Sequence, residues 1–207
     1  MIKAILLDFG GVLADEGFRE GLKAIGKKHG LDPETFYAIS RELVYQTGYV
    51  TGMSAESVYW NAVRERTGLD DRDENLRAEI LNRFILRPEM LELVKDMNAA
   101  GFITAILSDQ TNWLDELNDK IPFFHLFDYV FNSFNLHKEK RAPSIFRDVC
   151  SSMGLMPKEV LFIDDNRGNI DRALAEGLNA VCFTGVDVIG IDIERIIQAE
   201  SNKGGVK

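Results

Sequence analysis

The sequence predicts an α/β fold in which a parallel sheet is covered by helices on both sides and a small helical bundle is inserted after the first strand. Two observations carry that expectation. Short apolar runs without polar alternation recur along the chain, separated by helical patterns, as strands buried on both faces require. One long segment near the beginning breaks this rhythm, with helical patterns and no strand. The 207 residues suffice for one sizeable core and a small insertion.

Residues 2–7 form the first buried run, closed by Asp8 and the turn residues Gly10-Gly11. The segment 15–87 follows, and it reads as a bundle of helices joined by short loops. Phe18, Leu22 and Ile25 share one helical face, and Phe36, Ile39 and Leu43 share a second. The second helix opens at Asp32-Pro33-Glu34, an N-cap followed by proline at the first helical position. Tyr59, Ala62 and Val63 form a third face after Ser54, read as an N-cap, and Leu76, Ile80 and Phe84 form the last. The runs 102–107, 129–131, 160–163 and 180–183 supply the remaining strands. Leu91, Val94 and Met97 mark the helix before the second run. Ile145, Phe146, Val149 and Met153 precede the fourth, and Ile170, Ala173 and Leu174 the fifth. The organisation expected is therefore a sheet domain of residues 1–14 and 88–207 carrying a helical domain of residues 15–87. The Gly- and Lys-rich tail, 201–207, is expected to fray.

Charge and cysteine usage narrow the function classes. With 24 basic and 33 acidic residues the net charge is −9. An acidic chain with no Lys/Arg block is a poor nucleic-acid binder. Cys150 and Cys182 are far apart and lie in no C-x-x-C pattern, so two buried free thiols in a reducing compartment are expected. The apolar run before Asp8 is too short for a signal peptide or a membrane span, and no later stretch reaches spanning length. A soluble, cytoplasmic protein with no membrane partner is expected.

Ligands of open parallel sheets bind beyond the carboxyl ends of the strands. The first run ends in Asp8, the second in Ser108-Asp109, and the fourth in Asp164-Asp165; the third is followed, after a loop, by Lys138 and Lys140. Carboxylates, a hydroxyl and a lysine thus converge on one edge of the sheet. Carboxylates so crowded repel one another unless a cation lies among them. Hard oxygen donors in small number suit Mg²⁺, which keeps several waters and shares phosphate oxygens with a substrate. A lysine and a hydroxyl facing that ion make a phosphate cradle.

These segments resemble the four motifs of the haloacid-dehalogenase superfamily. Asp8-Phe9-Gly10-Gly11-Val12-Leu13 resembles the first and Ile106-Leu107-Ser108-Asp109 the second. Lys140-Arg141-Ala142-Pro143-Ser144-Ile145-Phe146 is similar to the third, where relatives often read Lys-Pro-Asp-Pro. Phe162-Ile163-Asp164-Asp165-Asn166, followed by Asn169, Ala173 and Gly177, resembles the fourth. The motifs occur in order over nearly the whole chain, which makes the set far more specific than any one of them. The helical segment resembles the family's inserted cap, and Thr47-Gly48-Tyr49-Val50-Thr51-Gly52-Met53-Ser54 a loop and helix found in such caps.

The resemblance implies a Rossmann-like three-layer core and a Mg²⁺-dependent hydrolase acting on a small phosphorylated substrate. It implies that Asp8 is the nucleophile, forming an aspartyl-phosphate that water hydrolyses. Ser108 and the following backbone N–H, that of Asp109, would hold phosphoryl oxygens, and Lys140 would offset charge on Asp8 and on the transferring group. Magnesium would be held by Asp8, the Gly10 carbonyl, and Asp164 or Asp165. Asn169 would cap the following helix or orient the metal loop, and Ser108 would also cap a helix.

The sequence departs from the family at one position. Many of its phosphatases carry a second aspartate two residues after the nucleophile, as general acid and base; here Gly10 stands there. A general acid is worth about 10²–10⁴-fold in rate. Gly10 therefore implies a leaving group that needs little protonation, a substitute such as Asp15, Glu16 or a cap residue, or a catalytically weak chain. It also fits a 2-haloacid dehalogenase, for which the Asp164-Asp165 pair would be an unneeded anionic load, or a non-catalytic module that senses a phosphorylated ligand. In the cap, Tyr45, Tyr49, Trp60, Arg19 and Arg41 are candidates to touch the substrate's organic part, against the plainer reading that the aromatics fill the bundle and the arginines are solvated. His29, His125 and His137 have no ligand spacing and read as loop or surface residues.

Overall fold

The computed structural model describes the backbone of residues 1–204 and the side chains through residue 199. Its sheet has five parallel strands in the order β3-β2-β1-β4-β5. They are β1 (Ala4–Leu7), β2 (Ile103–Ser108), β3 (Tyr129–Asn132), β4 (Val160–Asp164) and β5 (Asn179–Cys182). Each of the five apolar runs of the sequence is thus a strand, with bounds shifted by up to two residues.

Within the strands, side chains alternate between two apolar clusters, as the two-residue period dictates. Ala4, Leu6, Ala105, Leu107, Val160 and Phe162 face one side. There they meet Ile145, Phe146 and Val149 of α8 (Ser144–Ser152) and Ile170 and Ala173 of α9 (Arg167–Ala175). Ile5, Leu7, Ile106, Leu161 and Ile163 face the other. They are covered by Met90 and Val94 of α5 (Pro88–Ala99), Leu114 and Leu117 of α6 (Trp113–Lys120), and Ile189 and Ile193 of α10 (Val186–Gly204). Helix, sheet and helix make three layers, the arrangement expected of doubly buried strands. Residues 201–204 continue α10, and the rest of the tail expected to fray lies outside the described residues.

Between β1 and α5 the chain forms α1 (Gly17–Lys28), α2 (Pro33–Gln46), α3 (Glu56–Thr67) and α4 (Asp73–Leu81). Asp32 caps α2 as expected, its Oδ1 accepting from the Thr35 N–H at 2.8 Å, with Pro33 in the first turn. The buried stripe of α2 is Phe36, Ser40 and Val44; Ile39 and Leu43 sit beside it, half-buried. Ser54 does not cap α3. The helix starts one residue later than read, at Glu56 with Ala55 as its cap position, because the turns closed by Met53 N–H to Gly48 O and Gly52 N–H to Tyr49 O set its start. Helices α1 and α4 approach closely at Gly21, where a Cβ would come 2.7 Å from the Ile80 Cα. Two backbone hydrogen bonds pin the legs of this insertion together, Asp15 N–H to Ile85 O and Arg87 N–H to Leu13 O, both 2.9 Å. Arg87 adds bonds to the Gly11 and Val12 carbonyls at 2.6 and 2.9 Å.

No helix among the described residues is long and apolar enough to cross a membrane. Cys150 and Cys182 are both free, the first buried and the second half-buried.

Candidate active site

The chain leaves β1 for β2 on one side and later reaches β4 on the other, so the carboxyl ends of β1 and β4 form the switch point where such sheets open a crevice. Leu7 is paired with Ile163, and the Asp8 N–H bonds the Ile163 carbonyl at 2.9 Å. That register puts Asp8 beside Asp164 by ladder geometry alone.

Lys140 lies between the two carboxylates. Its Nζ is 2.7 Å from Asp8 Oδ1 and 2.7 Å from Asp164 Oδ2, and its side chain is 1 % exposed. Its backbone is held as well: its N–H donates to Asp109 Oδ1 at 2.9 Å, and its carbonyl accepts from Arg172 Nε at 2.8 Å. Asp164 is fully buried and saturated with donors, taking Asn166 N–H on Oδ1 and Lys140 and Asn169 Nδ2 on Oδ2. Arg172 in turn bonds Asn169 Oδ1 at 2.6 Å. The Asp8 Oδ1 also accepts from the Phe9 N–H at 2.7 Å, so two donors fix the plane of that carboxylate.

Asp8, Asp164 and Asp165 each place one carboxylate oxygen within 4.8 Å of the others. Asp165 is the exposed member, and its carboxylate lies against Gly11. A Cβ at Gly11 would stand 2.2 Å from Asp165 Oδ2, and the backbone there has φ +82°, which favours glycine. Burial raises the pKa of Asp8 well above the ordinary carboxylate value, with Asp164 and Asp165 adding repulsion and Lys140 opposing it. Asp165 is raised by burial and by Asp164. Burial acts to lower Lys140, but Asp164, Asp8 and Asp109 outweigh it and hold the ammonium charged.

These groups open on a cleft of about 330 Å³ lined by Asp8, Gly10, Ser108, Asp109 and Asp165 at or just beyond the strand ends and by Lys140 from the loop before α8. Every residue assigned to the site from sequence is therefore in this one region, with Asp164 just beneath the cleft surface. Lys138, the competing lysine, instead pairs with Asp148 on the surface of α8. One secondary expectation fails. Ser108 caps no helix, because α6 begins only at Trp113. Of the two roles read for Asn169 it takes the second, orienting Asp164, while Asn166 caps α9 through Gly168 N–H to Oδ1 at 2.9 Å.

The inserted helices close the cleft from above with Phe18, Arg19, Tyr37, Arg41, Val44 and Tyr45. Of the aromatic candidates there, Tyr49 and Trp60 are packed inside, while Tyr45 reaches the cleft with Arg141 stacked on its ring, 3.5 Å from the centroid. Glu16 is also in the wall. A Cβ added at Gly10 would lie 3.2 Å from Glu16 Oε2, so this carboxylate fills the space into which a side chain at position 10 would project. Its Oε1 accepts from the Arg19 N–H at 3.2 Å, and burial raises its pKa. Gln110, Thr111 and Arg172 belong to the site but carry no motif that marks them in sequence.

A model of the haloacid dehalogenase-like hydrolases matches residues 2–176. Among curated proteins, the chain is 25 % identical over 128 residues to flavin mononucleotide hydrolase 1 of Arabidopsis thaliana, covering 60 % of this chain and 52 % of that protein. It is 28 % identical over 100 residues to a phosphoglycolate phosphatase of Mannheimia succiniciproducens, covering 48 % and 45 %. It is 25 % identical over 150 residues to (S)-2-haloacid dehalogenase 4A of Burkholderia cepacia, covering 70 % and 63 %. The chain thus spans about half the length of the first two. Among solved structures, a predicted HAD-like hydrolase of Porphyromonas gingivalis superposes with TM-score 0.75 at 22 % identity, covering 95 % of this chain and 98 % of that one. A HAD family enzyme of Bacteroides thetaiotaomicron, solved in complex with magnesium and inorganic phosphate, superposes with TM-score 0.69 at 23 % identity, covering 88 % and 94 %.

Proposed function

The chain belongs to the haloacid dehalogenase-like hydrolases, and from that premise we propose that it is a Mg²⁺-dependent phosphatase of small phosphorylated metabolites, with Asp8 as nucleophile and residues 15–87 as its cap. The observation that carries this reading is the buried lysine shared by Asp8 and Asp164, with Asp165 close enough to complete a three-carboxylate cluster.

The donor set fits magnesium. Three carboxylates within 4.8 Å of one another, two of them with raised pKa, are an arrangement that a divalent cation stabilises and that hard oxygen ligands select. Asp8, Asp165 and Asp164 would hold the ion, with the Gly10 carbonyl beside them. Asp164 already accepts three protein hydrogen bonds, which makes exposed Asp165 the member with more oxygen to offer. When bound, the cation keeps Asp8 ionised and neutralises charge on the phosphate.

The remaining steps belong to the chain's own groups. Ser108 and the Asp109 N–H orient the phosphoryl oxygens, and Lys140 offsets their charge. An Asp8 carboxylate oxygen attacks phosphorus, and the bond to the leaving oxygen breaks. Glu16, standing where the family's second aspartate would project, gives its proton to that oxygen. It then takes a proton from the water that attacks phosphorus and frees Asp8. The cap's role is to exclude bulk water while the aspartyl-phosphate exists.

The test is hydrolysis of a phosphate-ester panel with Mg²⁺ and with EDTA. Activity with Mg²⁺ that EDTA and Asp8→Asn each abolish is the expected result; full activity in Asp8→Asn would sink the mechanism. A second reading, 2-haloacid dehalogenase, is favoured by Gly10 and by the Burkholderia relative, which aligns with 70 % of this chain. Release of halide that survives EDTA would carry that reading instead.

A further inference from the structure

Tyr37, Arg41 and Tyr45 are spaced four apart on α2, so they share one face of that helix, and all three line the cleft. Most basic groups around the cleft are committed to protein partners. Lys140 sits between Asp8 and Asp164, Arg172 holds Lys140 O and Asn169, and Arg141 lies 3.4 Å from Glu42. Arg41 is different: among the described residues it makes no ion pair, and it is exposed on the cleft wall. Arg19 stands beside it over the Tyr37 ring, 5.8 Å from the centroid, with its nearest carboxylate, Glu20, at 3.8 Å. Guanidinium groups bind carboxylate and phosphate through paired N–H donors.

We propose that the cleft selects phosphate monoesters whose leaving group carries a second anionic group, a carboxylate or another phosphate, held by Arg41 with Arg19 beside it. The inference deepens the phosphatase reading and takes its phosphate subsite as the other pole of the substrate. A cleft of about 330 Å³ suits a small two-headed metabolite.

Two matched pairs of substrates separate the sources of the second charge. One is 3-phosphoglycerate against glycerol 3-phosphate, which differ by a carboxylate in place of a hydroxymethyl group. The other is propane-1,3-diol bisphosphate against 3-hydroxypropyl phosphate. With Mg²⁺, the member with the second anionic group in at least one pair should have the higher kcat/KM by about ten- to a hundredfold, the size of a charge-assisted hydrogen bond. Arg41→Ala should shrink that preference to about threefold or less, chiefly through KM, and Arg41→Lys should restore part of it. No preference in either pair, or an undiminished preference in Arg41→Ala with an unchanged melting temperature, overturns the inference.

If the wild type hydrolyses none of the four, the phosphatase reading is decided by the wider ester panel, and calorimetry of the same ligands on Asp8→Asn decides the inference. Tighter binding of an anionic member, lost when Arg41→Ala is added, upholds it; equal or undetectable binding within both pairs overturns it.

Discussion

The indole Nε1 of Trp113, on α6 beside the sheet, lies 3.2 Å from Oε2 of Glu56, on α3 of the inserted helices. The same carboxylate accepts from Trp60 Nε1 at 2.9 Å, Arg77 approaches it at 3.3 Å, and the Tyr49 hydroxyl oxygen lies 3.3 Å away. One half-hidden acid thus satisfies donors from both parts of the molecule, and Tyr49 makes a further bridge to Asn112 Oδ1 at 2.7 Å. Glu56→Ala strands two buried indole N–H groups, each worth about 1–3 kcal/mol when left unpaired. The expected loss is about 2–6 kcal/mol in urea unfolding, with a smaller loss for Glu56→Gln, which keeps an acceptor oxygen.

Lys140→Met leaves Asp8 and Asp164 facing each other without their shared cation. Removing one partner from a buried ion pair costs about 3–5 kcal/mol. That loss is expected by chemical denaturation in EDTA. Adding Mg²⁺ should narrow the gap to wild type, because the divalent ion supplies part of the missing positive charge. A gap that does not respond to Mg²⁺ would argue against a cation site at these carboxylates.

Gly11→Ala should damage metal response more than folding. The new methyl group meets Asp165 Oδ2 at 2.2 Å, and that oxygen, at the end of a side chain, swings away. The stability cost is then mainly that of a non-glycine residue at φ +82°, about 1–3 kcal/mol. The displaced carboxylate should raise the Mg²⁺ concentration needed for half-maximal activity, read by titration at fixed substrate.

Asp71 gives the fold an acid-sensitive point away from the cleft. Asn75 Nδ2, the Arg72 N–H and Lys28 hold its carboxylate below the usual range. A carboxylate depressed in the folded state contributes stability that is fully present above its unfolded pKa, near 3.9, and disappears as pH falls through the lower folded value. The stability difference between wild type and Asp71→Asn should therefore be constant at neutral pH and shrink below about pH 4. A difference unchanged across that range would mean the carboxylate's charge is not what these contacts use.

The sheet and the strand-end residues were legible in the sequence for the same reason. A parallel strand buried on both faces writes a continuous apolar run, and whatever polar residue stops the run sits at the carboxyl edge. Asp8, Ser108 and Asp164 are read that way directly. Lys140 is not at a strand end and needed the motif's register, which the structure explains by the Asp109 carboxylate and Arg172 gripping its backbone. Residues whose part depends on distant partners were not legible. Glu56 looks like any first-turn acid until Tyr49, Trp60, Arg77 and Trp113 fold around it. The start of α3 was misread because Ser54 has good capping chemistry but lies in the turns before the helix. Asn166 and Asn169 are close in the chain, and only their geometry decides which caps α9 and which holds Asp164.

The legs of the insertion at Leu13–Asp15 and Ile85–Arg87 leave and rejoin the sheet side by side, tied by bonds of 2.9 Å. A long excursion of sequence therefore spans almost no distance in space, and its length and shape place no tension on the strand that carries Asp8. The four helices and the carboxylate cluster of Asp8, Asp164 and Asp165 accordingly lie in different stretches of polypeptide. If the four helices act as the proposed cap, insertions, deletions or wholesale exchange among them would alter which molecules are admitted while the carboxylate cluster kept its shape.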